Sequence, residues 1–147
     1  MDNETISETW IVIPGKPISK ARPRFVRRGK GVITFNPQTT EEGKWLLMAK
    51  GQIKETMTGA IGMSCEFMFA RPKSHFGTGR NADKLKSSAP AYHTQKPDID
   101  NLVKFVNDCL NGVAYRDDSQ IVMIHADKTW AYGFGEARTE IWLEGRE

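Results

Sequence analysis

The chain has 147 residues, 39% hydrophobic and 27% charged, values that suit one domain with a packed core and exclude a wholly disordered chain. No run of about 18 apolar residues occurs, so no membrane-spanning helix is expected. The opening MDNETISE is acidic and polar where a signal peptide would be basic and then apolar, and the net charge of +3 says less than its layout does.

Thr9 to Ile13 reads as a strand, ended by Pro14-Gly15. A basic loop over 15–31 follows; no acid occurs from Thr9 to Thr40, while Lys16, Lys20, Arg22, Arg24, Arg27, Arg28 and Lys30 all do. Gly31 to Phe35 is a short second strand, a candidate hairpin partner of the first. Thr39 and Glu42 stand at capping-box spacing, and Trp45, Met48, Ala49 and Ile53 repeat at helical intervals out to about Met57. Met63, Cys65, Phe67 and Phe69 alternate with Ser64, Glu66 and Met68, which predicts a strand with one mostly buried face.

A second basic loop, 71–97, has no sustained period, and a loop of that length in a small domain is usually functional or disordered. Asn101 to Asn111 is a helix with Leu102, Phe105, Val106, Cys109 and Leu110 on one face, stopped by Gly112. Ile121 to Ala126 and Ala137 to Leu143 are strands. The order β-β-α-β-loop-α-β-β predicts a single α/β (α+β) domain over 1–147, a small two-layer structure with one mixed sheet and two main helices. Cys65 and Cys109 sit apart in apolar patterns and fit no zinc spacing, so they read as reduced core residues of a cytoplasmic protein.

Between the basic tracts and the C-terminal strands the charge reverses, with Asp98, Asp100, Asp108, Asp117 and Asp118 close together. If 98–100 is extended, the carboxylates of Asp98 and Asp100 point to one side and need a proton, a cation or solvent between them. A hard cation such as Mg²⁺ accepts one or two carboxylates with waters and phosphate oxygens. Lys104 falls one helical turn beyond Asp100, where an ammonium can stabilise charge developing on a phosphate. Of Asp117 and Asp118, adjacent at the entrance of a strand, only one should enter the site. A structural account competes on even terms: Asp100 as N-cap of the helix beginning at Asn101, Lys104 as a surface ion-pair partner, and Asp117-Asp118 as a plain turn.

The run KPDIDNLVK followed by NDCLNGVAYRDDSQIV resembles the RusA family of Holliday junction resolvases, mainly phage and prophage endodeoxyribonucleases. The matching residues are Lys96, Asp98, Asp100, Asn101, Leu102, Lys104, Asp108, Leu110, Asn111, Gly112, Asp117, Asp118 and Gln120, with Cys109 in place of the usual Ala. Pro14-Gly15-Lys16-Pro17 and Lys20-Ala21-Arg22-Pro23-Arg24 are similar to the family's basic N-terminal loop.

The resemblance implies metal-binding carboxylates at Asp98, Asp100 and Asp118, an essential lysine at Lys104, and a less certain role for Asp117. It further implies Mg²⁺ with Mn²⁺ as substitute, one or two ions per site, and no small-molecule cofactor. The substrate would be four-way or branched DNA in recombination and repair, cut symmetrically, which calls for a homodimer. Lys16, Lys20, Arg22, Arg24, Arg27, Arg28 and Lys96 would bind phosphates without reading bases. Two alternatives stand beside this reading: a non-catalytic DNA-binding accessory protein, and a metal nuclease preferring flaps or duplex.

Overall fold

The computed structural model describes residues 7–21, 24–35 and 39–146, with Arg24, Phe25, Val26, Arg28, Ile33, Thr34, Phe35 and Thr39 described in backbone only. Its elements are β1 (Glu8–Pro14), β2 (Arg24–Arg28), β3 (Gly31–Phe35), α1 (Thr39–Lys50), β4 (Ala60–Phe69), α2 (Ile99–Leu110), β5 (Ile121–Trp130) and β6 (Arg138–Arg146). The expected mixed sheet and two helices form: four strands lie in the order β1-β6-β4-β5, antiparallel except for the parallel pair β4-β5. The inward rows of this sheet, Ile11 and Ile13, Met63, Cys65 and Phe67, Ile141 and Leu143, make one core with the buried stripe of α2. Trp45 of α1 closes that core edge-on against Phe105 of α2, with ring centres 5.7 Å apart.

The elements differ from the sequence expectation in several places. The loop 15–31 holds a strand of its own, β2, and β3 pairs with β2 in a separate hairpin rather than with β1. The turn between them is Gly29-Lys30, with Gly29 at φ 58°, the left-handed conformation that two-residue hairpin turns require. Helix α1 stops at Lys50 rather than near Met57. Gln52 just beyond it accepts a hydrogen bond from the Val12 amide at 2.8 Å and donates to the Val12 carbonyl at 2.8 Å. This amide takes the place of a neighbouring strand at the edge of β1, satisfying backbone groups that would otherwise face solvent. Strand β5 continues through Asp127 and Lys128 to Trp130, because those polar residues still pair in register with Glu66 and Phe67 of β4.

The long loop 71–97 carries short 3-10 turns at Lys73–His75 and Gly79–Asn81. Arg71 fastens it, donating to the Ala131 carbonyl and the Pro90 carbonyl, each at 2.7 Å. His93 plugs the far end, stacked 3.9 Å from Phe69 and packed 4.5 Å from Trp130. It is a packing histidine, and burial, helped by the charge of Lys128, holds its pKa below the ordinary value. Both cysteines are buried free thiols, and burial pushes each up to about 12, which keeps them protonated and unreactive.

Candidate active site

Helix α2 forms because its apolar residues recur on one stripe, and all five of them are buried. That stripe fixes the helix on the sheet and leaves its first turn exposed at one end of the domain. The N-cap is Asp98, not Asp100, with φ −72° and ψ 146°, and Asp100 lies within the first turn. An N-cap aspartate ordinarily accepts a hydrogen bond from a first-turn amide. Asp98 makes no such bond.

Instead both Asp98 carboxylate oxygens lie 2.8 Å from the Lys96 ammonium. The hydrogen bond from Lys96 holds the Asp98 carboxyl below its ordinary value against the opposing effect of desolvation, and the charges of Lys96 and Lys128 add to it. An internal cation therefore bridges the two oxygens. Asp100 and Lys104 are exposed, four residues apart on the same helix. The basic loop reaches this end of α2 through its backbone, the Lys20 amide donating to the Asn101 carbonyl at 3.0 Å.

Asp117 and Asp118 have different roles. Asp117 caps a 3-10 turn, Asp118–Gln120, accepting from the Ser119 amide at 3.2 Å. Gln120 completes the box by accepting from the Asp117 amide at 3.1 Å and the Arg116 amide at 2.8 Å. Its amide group also donates to the carbonyls of Met57 and Gly59. Asp118 is exposed on this anchored turn, which leads directly into β5.

The fold does not gather Asp98, Asp100 and Asp118 within one chain. Among the described residues no group of three or more His, Cys, Asp or Glu side chains is placed to hold a metal ion. The reason is topological. Lys128, near the end of β5, donates to the carbonyls of Gln95 and Pro97 at 2.6 and 2.7 Å, which puts the start of α2 at that end. Asp118 precedes Ile121 at the other end, and seven residues of strand at roughly 3.3 Å each separate the two by about 23 Å.

The proposed DNA contacts divide as well. Lys16 and Arg27 are exposed, and Arg22 lies outside the described residues. Lys20 is tied into the fold, 3.1 Å from Glu42 and 3.3 Å from Asp108. Burial disfavours its charge, but the bonds to Glu42 and Asp108 outweigh it and raise its pKa. Two residues absent from the sequence-based site matter here. Gln120 lies inside the motif that carried the resemblance, so a signal was present. Lys128 had none, since it falls beyond the strand expected over Ile121 to Ala126.

A family model for endodeoxyribonuclease RusA matches residues 14–144. The chain belongs to the RusA endodeoxyribonuclease family. It is also 33% identical over 133 residues to YqaN of Bacillus subtilis (strain 168), itself an uncharacterised protein, across 88% of this chain and 90% of that one. Membership makes the chain an endodeoxyribonuclease, a hydrolase of phosphodiester bonds, and the RusA match contains both ends of β5 and the whole of α2. Among the described residues no helix is long and apolar enough to cross a membrane.

Proposed function

We propose that this RusA-family chain is one half of a twofold homodimer that hydrolyses branched DNA, four-way junctions above all, with Mg²⁺, or Mn²⁺ in its place. The observation that carries the reading is the N-cap aspartate of α2, which makes no capping bond and presents both oxygens to a cation. A purely structural acid at that position would bond the open amides of the first turn. Asp98 and Asp100 offer two hard-oxygen donors, enough for a divalent ion whose other ligands are waters and phosphate oxygens. When bound, that ion would lower the pKa of a water and polarise the scissile phosphate.

The chain's own residues supply the rest. Lys96, exchanged from Asp98 for the ion, becomes free to hold a DNA phosphate. Lys104 neutralises charge developing on the reacting phosphate. The first-turn amides of α2 and its dipole favour an anion at the same end. Lys16 and Arg27 attract the DNA backbone, with Arg22, Arg24 and Arg28 on the same basic stretch.

The separation of Asp118 from Asp98 supports the homodimer. Strand β5 is an edge strand, and Val122, Met123 and Ile124 along it are 58%, 55% and 51% exposed. Natural sheets cover an apolar edge of this kind. Two copies laid edge to edge and antiparallel, with the axis between Met123 and Ile124, set Asp118 of one level with Thr129 of the other. Thr129 is next to Lys128, which holds the approach to Asp98. The third carboxylate then joins the site from the second copy, and two equivalent sites make the two cuts a junction needs.

The test is complementation on a labelled four-way junction in Mg²⁺. Asp98→Asn and Asp118→Asn should each bind the junction and fail to cut it. Mixed subunits carry one intact site per heterodimer only if the site is shared, so refolding the two variants together should restore on the order of a quarter of wild-type nicking. No restoration removes the shared site. Binding without cutting by the wild type supports an accessory role instead, and equal cutting of flap or duplex removes the junction preference.

A further inference from the structure

Lys128 lies in the row of β5 that faces the core. Ala126 before it packs against the core, and its partner across the ladder is the buried Phe67. An ammonium in such a row is costly unless its hydrogens are bonded. Lys128 turns its Nζ out of the row to two backbone carbonyls, Gln95 at 2.6 Å and Pro97 at 2.7 Å, both charge-assisted bonds. The Pro97 carbonyl belongs to the peptide that ends at the Asp98 nitrogen. Holding that carbonyl holds the plane from which Asp98 departs.

The backbone around Lys128 grips the same segment from the other side. The His93 amide donates to the Lys128 carbonyl at 3.1 Å, and the Trp130 amide donates to the Ala91 carbonyl at 2.9 Å. The end of β5 and the loop 91–97 therefore form one body, and the side chain of Lys128 extends its hold to within one residue of Asp98. A methionine would fill the same space against the core but would leave both carbonyls to water. The use of a lysine at this place is explained by the carbonyls it holds, not by the packing it supplies.

We infer that Lys128 is a positioning residue for the nuclease site, orienting the Asp98 carboxylate through the Gln95–Pro97 backbone without touching DNA. This rests on the function proposed above, in which Asp98 is a working carboxylate. A displacement of about 1 Å at such a group costs on the order of a hundredfold in rate.

The experiment compares wild type, Lys128→Met and Lys128→Arg as full chains on a labelled four-way junction. The methionine variant should lower kcat at least tenfold and leave KM within about twofold, with a melting temperature close to wild type. Arginine keeps donors for both carbonyls and should recover kcat to within about threefold. By nitrogen-15 relaxation, the order parameter of the Asp98 amide should fall from about 0.85 to below about 0.6 in the methionine variant only. Unchanged kcat together with an unchanged Asp98 order parameter would overturn the inference, as would a loss of rate that simply follows a lower melting temperature. If the wild type cuts no junction, the junction reading proposed above falls, and the Asp98 relaxation measurement still decides whether Lys128 sets the loop.

Discussion

Replacing Gln120 by alanine should loosen the turn that carries Asp118. One half-buried amide makes four hydrogen bonds there: from Arg116 and Asp117 at 2.8 and 3.1 Å, and to Met57 and Gly59 at 3.2 and 2.9 Å. Each is worth about 0.5–1.5 kcal/mol net, and water can replace those on the exposed side, so Gln120→Ala should cost about 2 kcal/mol. For a chain of this length that corresponds to a fall of about 5–8 °C in melting temperature. Urea unfolding should show a lower midpoint with an unchanged slope, since the surface exposed on unfolding stays the same. Gln120→Glu keeps the acceptors and loses the two donors, so it should forfeit about half of the stabilisation or more. A change below about 0.5 kcal/mol in Gln120→Ala would refute the claim that this side chain anchors the turn.

Two further outcomes follow from the charges. Lys16→Ala should reduce the slope of log affinity for junction DNA against log salt by about 1, while Lys20→Ala should leave that slope unchanged and cost stability instead, because Lys20 is occupied by Glu42 and Asp108. Equal effects of the two on the slope would show that the ion pair opens on DNA. The Asp117 carboxyl is held below its ordinary value by hydrogen bonds from Ser119. Its contribution is therefore present above the ordinary carboxylate pKa and lost as pH falls through the lowered folded value. Asp117→Asn should flatten the fall in stability below about pH 4, measured by urea unfolding across pH, and an unaltered acid limb would count against it.

The helix α2 and the strands β1, β4 and β6 were legible because burial on one side imposes a period on the sequence, and Leu102, Phe105, Val106, Cys109 and Leu110 all reach the core. Strand β2 was not, since its five residues Arg24–Arg28 carry three arginines, which resemble a solvated loop. The end of α1 was equally hidden, because Gln52 meets Val12 forty residues away. At the site the motif marked Asp98, Asp100, Asp117 and Asp118 but not where each stands in its turn. Which of Asp98 and Asp100 stands at the N-cap, and which of Asp117 and Asp118 caps its turn, depends on where each helix begins, to within one residue.

The sequence by itself determined most element types and the core stripe, because period and local spacing record them directly, and its motif carried the family. Only the tertiary structure decided that Asp98 and Asp118 sit at opposite ends of β5, that Lys20 is held by two acids, and that Lys128 grips the loop before Asp98. Those relations arise from the register of β5 against β4 and from the direction in which α2 lies across the sheet. They join residues up to tens of positions apart, and no local pattern in the chain encodes such distances.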